Sequence, residues 1–276
     1  MEYMQHSSVG GPHHDQALAA AIRALGSPDF PAAFARLARQ LLAFDNLILI
    51  VYHGEQRPAV LYREFTDPVV YLPMDSEYLG SAYLLDPFYH EHLRGGVEGV
   101  RRLVDVAPDH FSRTQYFKAY YEQTTLLDEI AVFAGLGEGM TITACFGRDR
   151  SSGLPYSEED IQAMTACEQM LTALLARHWH DYQPAVASSP SVTPLSERLR
   201  DELERIQQVR LSPRQAEVAL FILRGHSSVS IGLHLDVSPQ TVKVFRRQLY
   251  ARCGISTQAE LFAMMMPIFS RLTAGD

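Results

Sequence analysis

The sequence contains no apolar run of 18 residues. Its apolar runs, such as Leu47 to Tyr52, are the length of a strand, which excludes a membrane-spanning helix. The N-terminus, MEYMQHSSVGGPHH, lacks the basic start and apolar stretch of a secretory signal. Cysteine is scarce: Cys145, Cys167 and Cys253 are scattered over 276 residues, too few for a disulfide framework. The expectation is a reducing cytoplasm, with Cys145 and Cys167 as buried free thiols. Tryptophan occurs once, at Trp179. There is no Gly-rich phosphate loop, no zinc-spaced Cys/His set, no serine elbow and no repeat of fixed period. The segment after Val51, Tyr52-His53-Gly54, lacks the acidic pair of a phosphoryl receiver. An enzyme, a cofactor and a bound metal are therefore not expected.

The chain is 47% hydrophobic and 20% charged, which fits one large globular domain or two ordinary ones. The net charge of −8 speaks against a nucleic-acid binder only if it is evenly spread, and it is not. Up to residue 196 there are 13 basic residues against 24 acidic ones; beyond it, 11 against 8. Ser238 to Arg252 holds Lys243, Arg246, Arg247 and Arg252 and no acid. Such asymmetry marks a unit that faces an anionic partner.

Between the two halves, residues 184–196 have a linker composition of Pro, Ser, Ala and Thr. Residues 1–15 are expected to be a disordered leader, with His13 and His14 solvated. The expected units are 16–183 and 197–276.

The C-terminal unit reads as four helices after an amphipathic one at Glu197–Val209. Ser212-Pro213 opens the first and Gly225 ends it; Ser227 or Ser228 opens a short second. Asp236-Val237-Ser238 is a tight turn, and Ser238-Pro239 opens a basic third helix that Gly254 ends. Short helix, turn and basic helix form a helix-turn-helix, in which the last helix lies in the DNA major groove. The run from Leu211 to Leu261 resembles the LuxR-type DNA-binding domain, most specifically in Ser238-x-x-Thr241-Val242-Lys243. The resemblance implies a transcription regulator that binds double-stranded DNA as a homodimer and works with RNA polymerase. Its DNA contacts would come from Ser238, Gln240, Thr241, Val242, Lys243, Arg246, Arg247 and Arg252. Gln215, Gly232, Phe245 and Cys253 depart from the family's usual Glu, Ala, His and Leu. Gly232 is expected to weaken the second helix by up to about 1 kcal/mol relative to Ala.

The N-terminal unit reads as α+β with an antiparallel sheet: helices over residues 16–44, strands at 47–52 and 59–65, a helix at 78–93 and a helix or helix pair at 109–122. Strands follow at 130–133 and 140–146, then a helix to about Tyr182. It resembles GAF/PAS-like sensors and the sensor domain of LuxR-type quorum regulators. Tyr83, Asp86, Phe88, Tyr116, Tyr120, Tyr121, Asp128 and Glu129 are the candidate ligand residues, since aromatic walls with a carboxylate suit an amine or amino-acid-like effector. Lactone sensors pair Trp and Tyr with a following Asp-Pro; Asp86-Pro87 is present, but the Trp is far away. Control by a protein partner without a small molecule is the other alternative.

Overall fold

The computed structural model describes residues 11–184 and 193–274. The N-terminal unit is built on one sheet of strands β1 (Asn46–His53), β2 (Ala59–Phe65), β3 (Gly99–Arg102), β4 (Leu126–Gly137) and β5 (Met140–Asp149). Their order is β2-β1-β5-β4-β3, and all neighbours are antiparallel. This is the α+β architecture expected.

Successive strand residues point to opposite faces. Leu47, Leu49, Val51, Ile130, Val132 and Phe146 pack under helices α1 (Pro12–Arg23), α2 (Phe30–Ala38), α5 (Glu158–Ala166) and α6 (Glu168–His178). Ile48, Ile50, Tyr52, Ala131, Phe133 and Cys145 face the other way, toward α3 (Pro87–Arg94) and the irregular aromatic segments beside it. A one-turn helix α4 (Leu103–Val106) follows β3.

Several boundaries differ from expectation. Helix α1 starts at Pro12, inside the expected leader, because Pro in the first turn and Asp15 behind it favour a helix start. His14 is buried rather than solvated. Residues 1–10 and 185–192, the rest of the expected leader and most of the linker, lie outside the described residues.

The helix expected over 78–93 is three short pieces. A single π turn covers Met74–Tyr78 and a 3-10 turn Ala82–Leu85; α3 starts afresh at Pro87, where Asp86 caps it by accepting from the Phe88 amide at 2.8 Å. The helix or helix pair expected over 109–122 is two separate single turns, Phe111–Arg113 and Phe117–Tyr121. Thr114 breaks it: its hydroxyl donates to the Phe111 carbonyl at 2.7 Å and accepts from the Phe117 amide at 3.0 Å, competing with helical bonding. The last helix divides at Cys167, and β3 has no counterpart in the sequence reading.

The C-terminal unit comprises α7 (Leu195–Gln207), α8 (Pro213–Arg224), α9 (Ser228–Leu235), α10 (Pro239–Cys253) and α11 (Gln258–Ala274). Leu199, Leu203, Val218, Leu249, Leu261 and Phe269 form its centre.

The unit docks on the N-terminal one. His110 N–H donates to the Gly225 carbonyl at 2.8 Å, and Ser227 N–H to Asp109 Oδ1 at 2.8 Å. On the other side, the Thr273 hydroxyl donates to the Gly80 carbonyl, and the Ser81 and Ser270 hydroxyls meet at 3.1 Å. Gly225 has φ +99°, and a Cβ there would stand 2.8 Å from the Phe111 Cα, so the residue ends α8 and permits this close approach.

Candidate functional site

Helix α10 is held at its N-terminus by Ser238. Its hydroxyl accepts from the Thr241 amide at 3.0 Å and lies 2.8 Å from the Thr241 hydroxyl, so Thr241 is engaged in the cap. Beyond it, Gln240, Lys243, Arg246 and Arg247 are exposed. Lys243, Arg246 and Arg247 border a shallow depression that Ser228, at the start of α9, closes on the far side. The Arg246 guanidinium lies over the Tyr250 ring, 5.2 Å from its centroid. This arrangement presents three cations beside a helix N-terminus, which suits phosphates.

Two residues depart from the expected DNA contacts. Val242 is completely buried, because it occupies the inward stripe with Leu249. Arg252 donates to the Arg210 carbonyl at 2.7 Å; it is one turn past the basic face and ties α10 to the α7–α8 loop.

The second feature is a cavity of about 70 Å³ between the sheet and the aromatic segments. Asp86, Phe88, Tyr116, Tyr120, Tyr121 and Glu129 line it. Tyr83 does not: it stands behind Tyr78, its ring edge-on to Tyr89 at 5.0 Å. Asp128 does not either. It neighbours Glu129 on β4 and so points to the opposite face, where it accepts from the Tyr156 amide at 3.0 Å.

A chain of hydroxyls serves the carboxyls. The Tyr52 and Tyr78 hydroxyls meet at 3.1 Å, and Tyr78 donates to Asp86 Oδ2. Tyr121 donates to Glu129 Oε2 at 3.4 Å, and Tyr71 to Asn46 Oδ1 at 3.2 Å. Burial pushes the Asp86 carboxyl up to about 6. Burial, with the charge of Asp86 beside it, pushes Glu129 up to about 8. Burial also raises the phenols of Tyr52, Tyr78, Tyr116 and Tyr121 well above their ordinary value. The cavity thus holds two buried acids in an aromatic shell, Asp86 well hydrogen-bonded and Glu129 held by one long bond from Tyr121.

Residues 209–265 match the family model for bacterial regulatory proteins of the luxR family. The chain carries a LuxR-family helix-turn-helix domain. A protein of Aeromonas salmonicida, described as an HTH-type transcriptional regulator in the exeN 3′ region, is 26% identical over 195 residues. The match spans 69% of this chain and 98% of the relative. The fold is similar to the crystal structure of the VqsR LBD domain from Pseudomonas aeruginosa, with a TM-score of 0.53 and 22% identity. That likeness covers 63% of this chain and 100% of the other.

Two of the departures from the LuxR pattern, Gln215 and Gly232, have structural accounts. Gln215 completes a capping box with Ser212, whose amide donates to Gln215 Oε1 at 3.0 Å. Its Nε2 also donates to Gln248 Oε1 of α10 at 3.2 Å, so a neutral amide links the two helices of the LuxR domain. Gly232 sits where a Cβ would be 2.7 Å from the Val237 carbonyl oxygen. The absence of a side chain there lets the turn after α9 pass close to the helix.

Asn46, Tyr52, Tyr71, Tyr78 and Cys145 line the cavity without belonging to the candidate set. Strand β1 is apolar on both faces, so no alternation in the sequence tells which of its residues face a ligand. Trp179 packs edge-on to Phe30 at 5.6 Å, on the other side of the sheet. Cys145 and Cys167 likewise fall on opposite sides and are free.

Proposed function

We propose that the chain is a ligand-responsive transcriptional regulator. As a homodimer it binds a pseudo-palindromic operator through α10, works with RNA polymerase, and is tuned by a small molecule in the N-terminal cavity. Lys243 and Arg247 hold phosphates, while Gln240 and Thr241, at the entry of the helix, reach toward base edges.

The effector is a compact amine or amino-acid-like cation. One observation carries this: Asp86 and Glu129 are buried together among tyrosines with no basic residue lining the cavity. An ammonium group offsets one of the two carboxylate charges while hydrogen-bonding to both acids, and the rings add cation–π attraction. The cavity is about half the ~150 Å³ that accommodates benzene, so a long acyl chain would have to displace an aromatic side chain. Trp179, on the far side of the sheet, gives no support to a lactone site.

The segment from Met74 to Asp86 supplies the route to the DNA-binding unit. Its Met74, Tyr78 and Asp86 face the cavity, while Gly80 and Ser81 between them bond to α11. A ligand that moves Tyr78 therefore bears on the docking of the LuxR domain.

Thermal unfolding of the full chain against amines, amino acids and lactones tests the reading. A cation that occupies the cavity raises the melting temperature, and Glu129→Gln removes that rise. A lactone that stabilises while every amine fails would replace the ligand assignment. Silence from the whole panel would favour control by a protein partner.

A further inference from the structure

A second cavity, of about 390 Å³, lies where the two units meet. His90 and Arg94 of α3 line it from one side, and Leu220, Phe221 and Arg224 of α8, with His226, from the other. Its charged groups are unequally satisfied. Arg94 pairs with Glu91, Glu217 with Arg214 at 2.9 Å, and Glu55 with Arg198 at 3.6 Å. Arg224 has no hydrogen bond and no carboxylate at ion-pair distance among the described residues, and its Nε is buried without a partner.

The Tyr89 hydroxyl is also buried without a partner, and it is close enough for its phenol to feel the Arg224 charge. Arg224 is half-buried, and the charge of Glu55 in the same cleft favours its ionised form, but its buried Nε is a donor with no acceptor, which is costly unless something meets it. Burial lowers Arg224 to about 10 and, aided by the charges of His234 and Arg224, lowers His226 to about 4. Burial and then Arg224 hold His90 well below its ordinary value. The two imidazoles are thus neutral. The single N–H of His90 donates to the Leu84 carbonyl at 2.9 Å, whereas His226 meets the Ser230 hydroxyl through Nδ1 at 2.8 Å, which lets its Nε2 carry an N–H for an acceptor in the cleft.

We propose that this interdomain cleft binds a small oxyanion, a carboxylate or phosphate group, gripped by the Arg224 guanidinium and the His226 N–H. Planar, forked donors suit such groups. The ligand touches both units at once, so it stabilises the docked arrangement in which Gly225 lies on residues 108–114. The site is separate from the aromatic cavity and independent of what that cavity binds.

The test is isothermal titration of the full chain with inorganic phosphate and, separately, with succinate, each against chloride at equal ionic strength. The proposal expects at least one of them to bind. Arg224→Gln should weaken it at least about tenfold without lowering the unliganded melting temperature, and Glu129→Gln should leave it unchanged. A response to phosphate alone assigns a phosphate ester, and a response to succinate alone a carboxylate. Binding by neither anion up to tens of millimolar, or equal binding by wild type and Arg224→Gln, overturns the proposal. If Arg224→Gln does not fold, the nitrogen resonances of the His226 ring decide in the wild type. They move on anion addition if the cleft is occupied and stay still if it is not.

Discussion

Burial keeps the Glu129 carboxyl protonated until about pH 8. In the unfolded chain a glutamate ionises near pH 4.3. Between those values the unfolded state has released its proton while the folded state holds it. Stability therefore falls as pH rises through that window and levels off above it. Asp86, raised to about 6, adds a slope of the same sign at the lower end. Glu129→Gln is expected to flatten the melting-temperature profile between about pH 5 and 8 and to be more stable than wild type at the upper end. Scanning calorimetry across that range checks it, and an unchanged slope would mean the acid is solvated. A permanently cationic ligand should bind more tightly as pH rises toward 8, because Glu129 must ionise to receive it. The placement of Glu129 and Asp86 among aromatic rings was legible from their sequence context. The exclusion of Asp128 needed the register of β4: two adjacent acids look alike in sequence, and the pleat sends them to opposite faces.

Helix starts in the C-terminal unit are written locally. Ser212, Ser227 and Ser238 each accept a hydrogen bond from the third residue of their helix, so their sequence signals suffice. Ser238→Ala should cost about 1 kcal/mol of stability and lower DNA affinity further, since the cap also positions Thr241; denaturant melts and binding titrations separate the two losses. Gly232→Ala restores the residue common in the family. Helix propensity favours it by up to about 1 kcal/mol, but crowding against the Val237 carbonyl costs about 1–3 kcal/mol. The variant should be less stable, which a urea midpoint would reveal; a gain would show that the turn relaxes at little cost. The aromatic segments at 74–85 and 111–121 were not legible as what they are. Their apolar residues fit a helical period, whereas side-chain hydroxyls and tertiary burial fix single turns there. β3 also escaped, since Gly99-Val100-Arg101-Arg102 is a short edge strand without an apolar alternation.

At the scale of the whole molecule, the net charge of −8 averages two opposite tendencies. The acidic N-terminal half repels DNA, and the exposed cations of α10 attract it. Affinity should therefore fall steeply with salt, and Lys243→Ala should weaken binding and lower the salt slope by about 1. Docking couples the halves through residues 108–114 on Gly225, Gly80–Ser81 on α11, and the Glu55–Arg198 ion pair. Asp109→Ala removes the acceptor of the Ser227 amide. It should leave cavity binding intact while reducing the effect of the effector on DNA affinity, as paired titrations on the two ligands would show. The most direct test of the central claim is a fluorescence-anisotropy titration of the full chain on a duplex selected from a random-sequence pool. It is run with and without the amine that best stabilises the protein. The account predicts that the amine changes wild-type affinity, leaves Glu129→Gln unaffected, and that Lys243→Ala binds more weakly throughout. Equal binding by wild type and Lys243→Ala, or an amine effect that persists in Glu129→Gln, would contradict it.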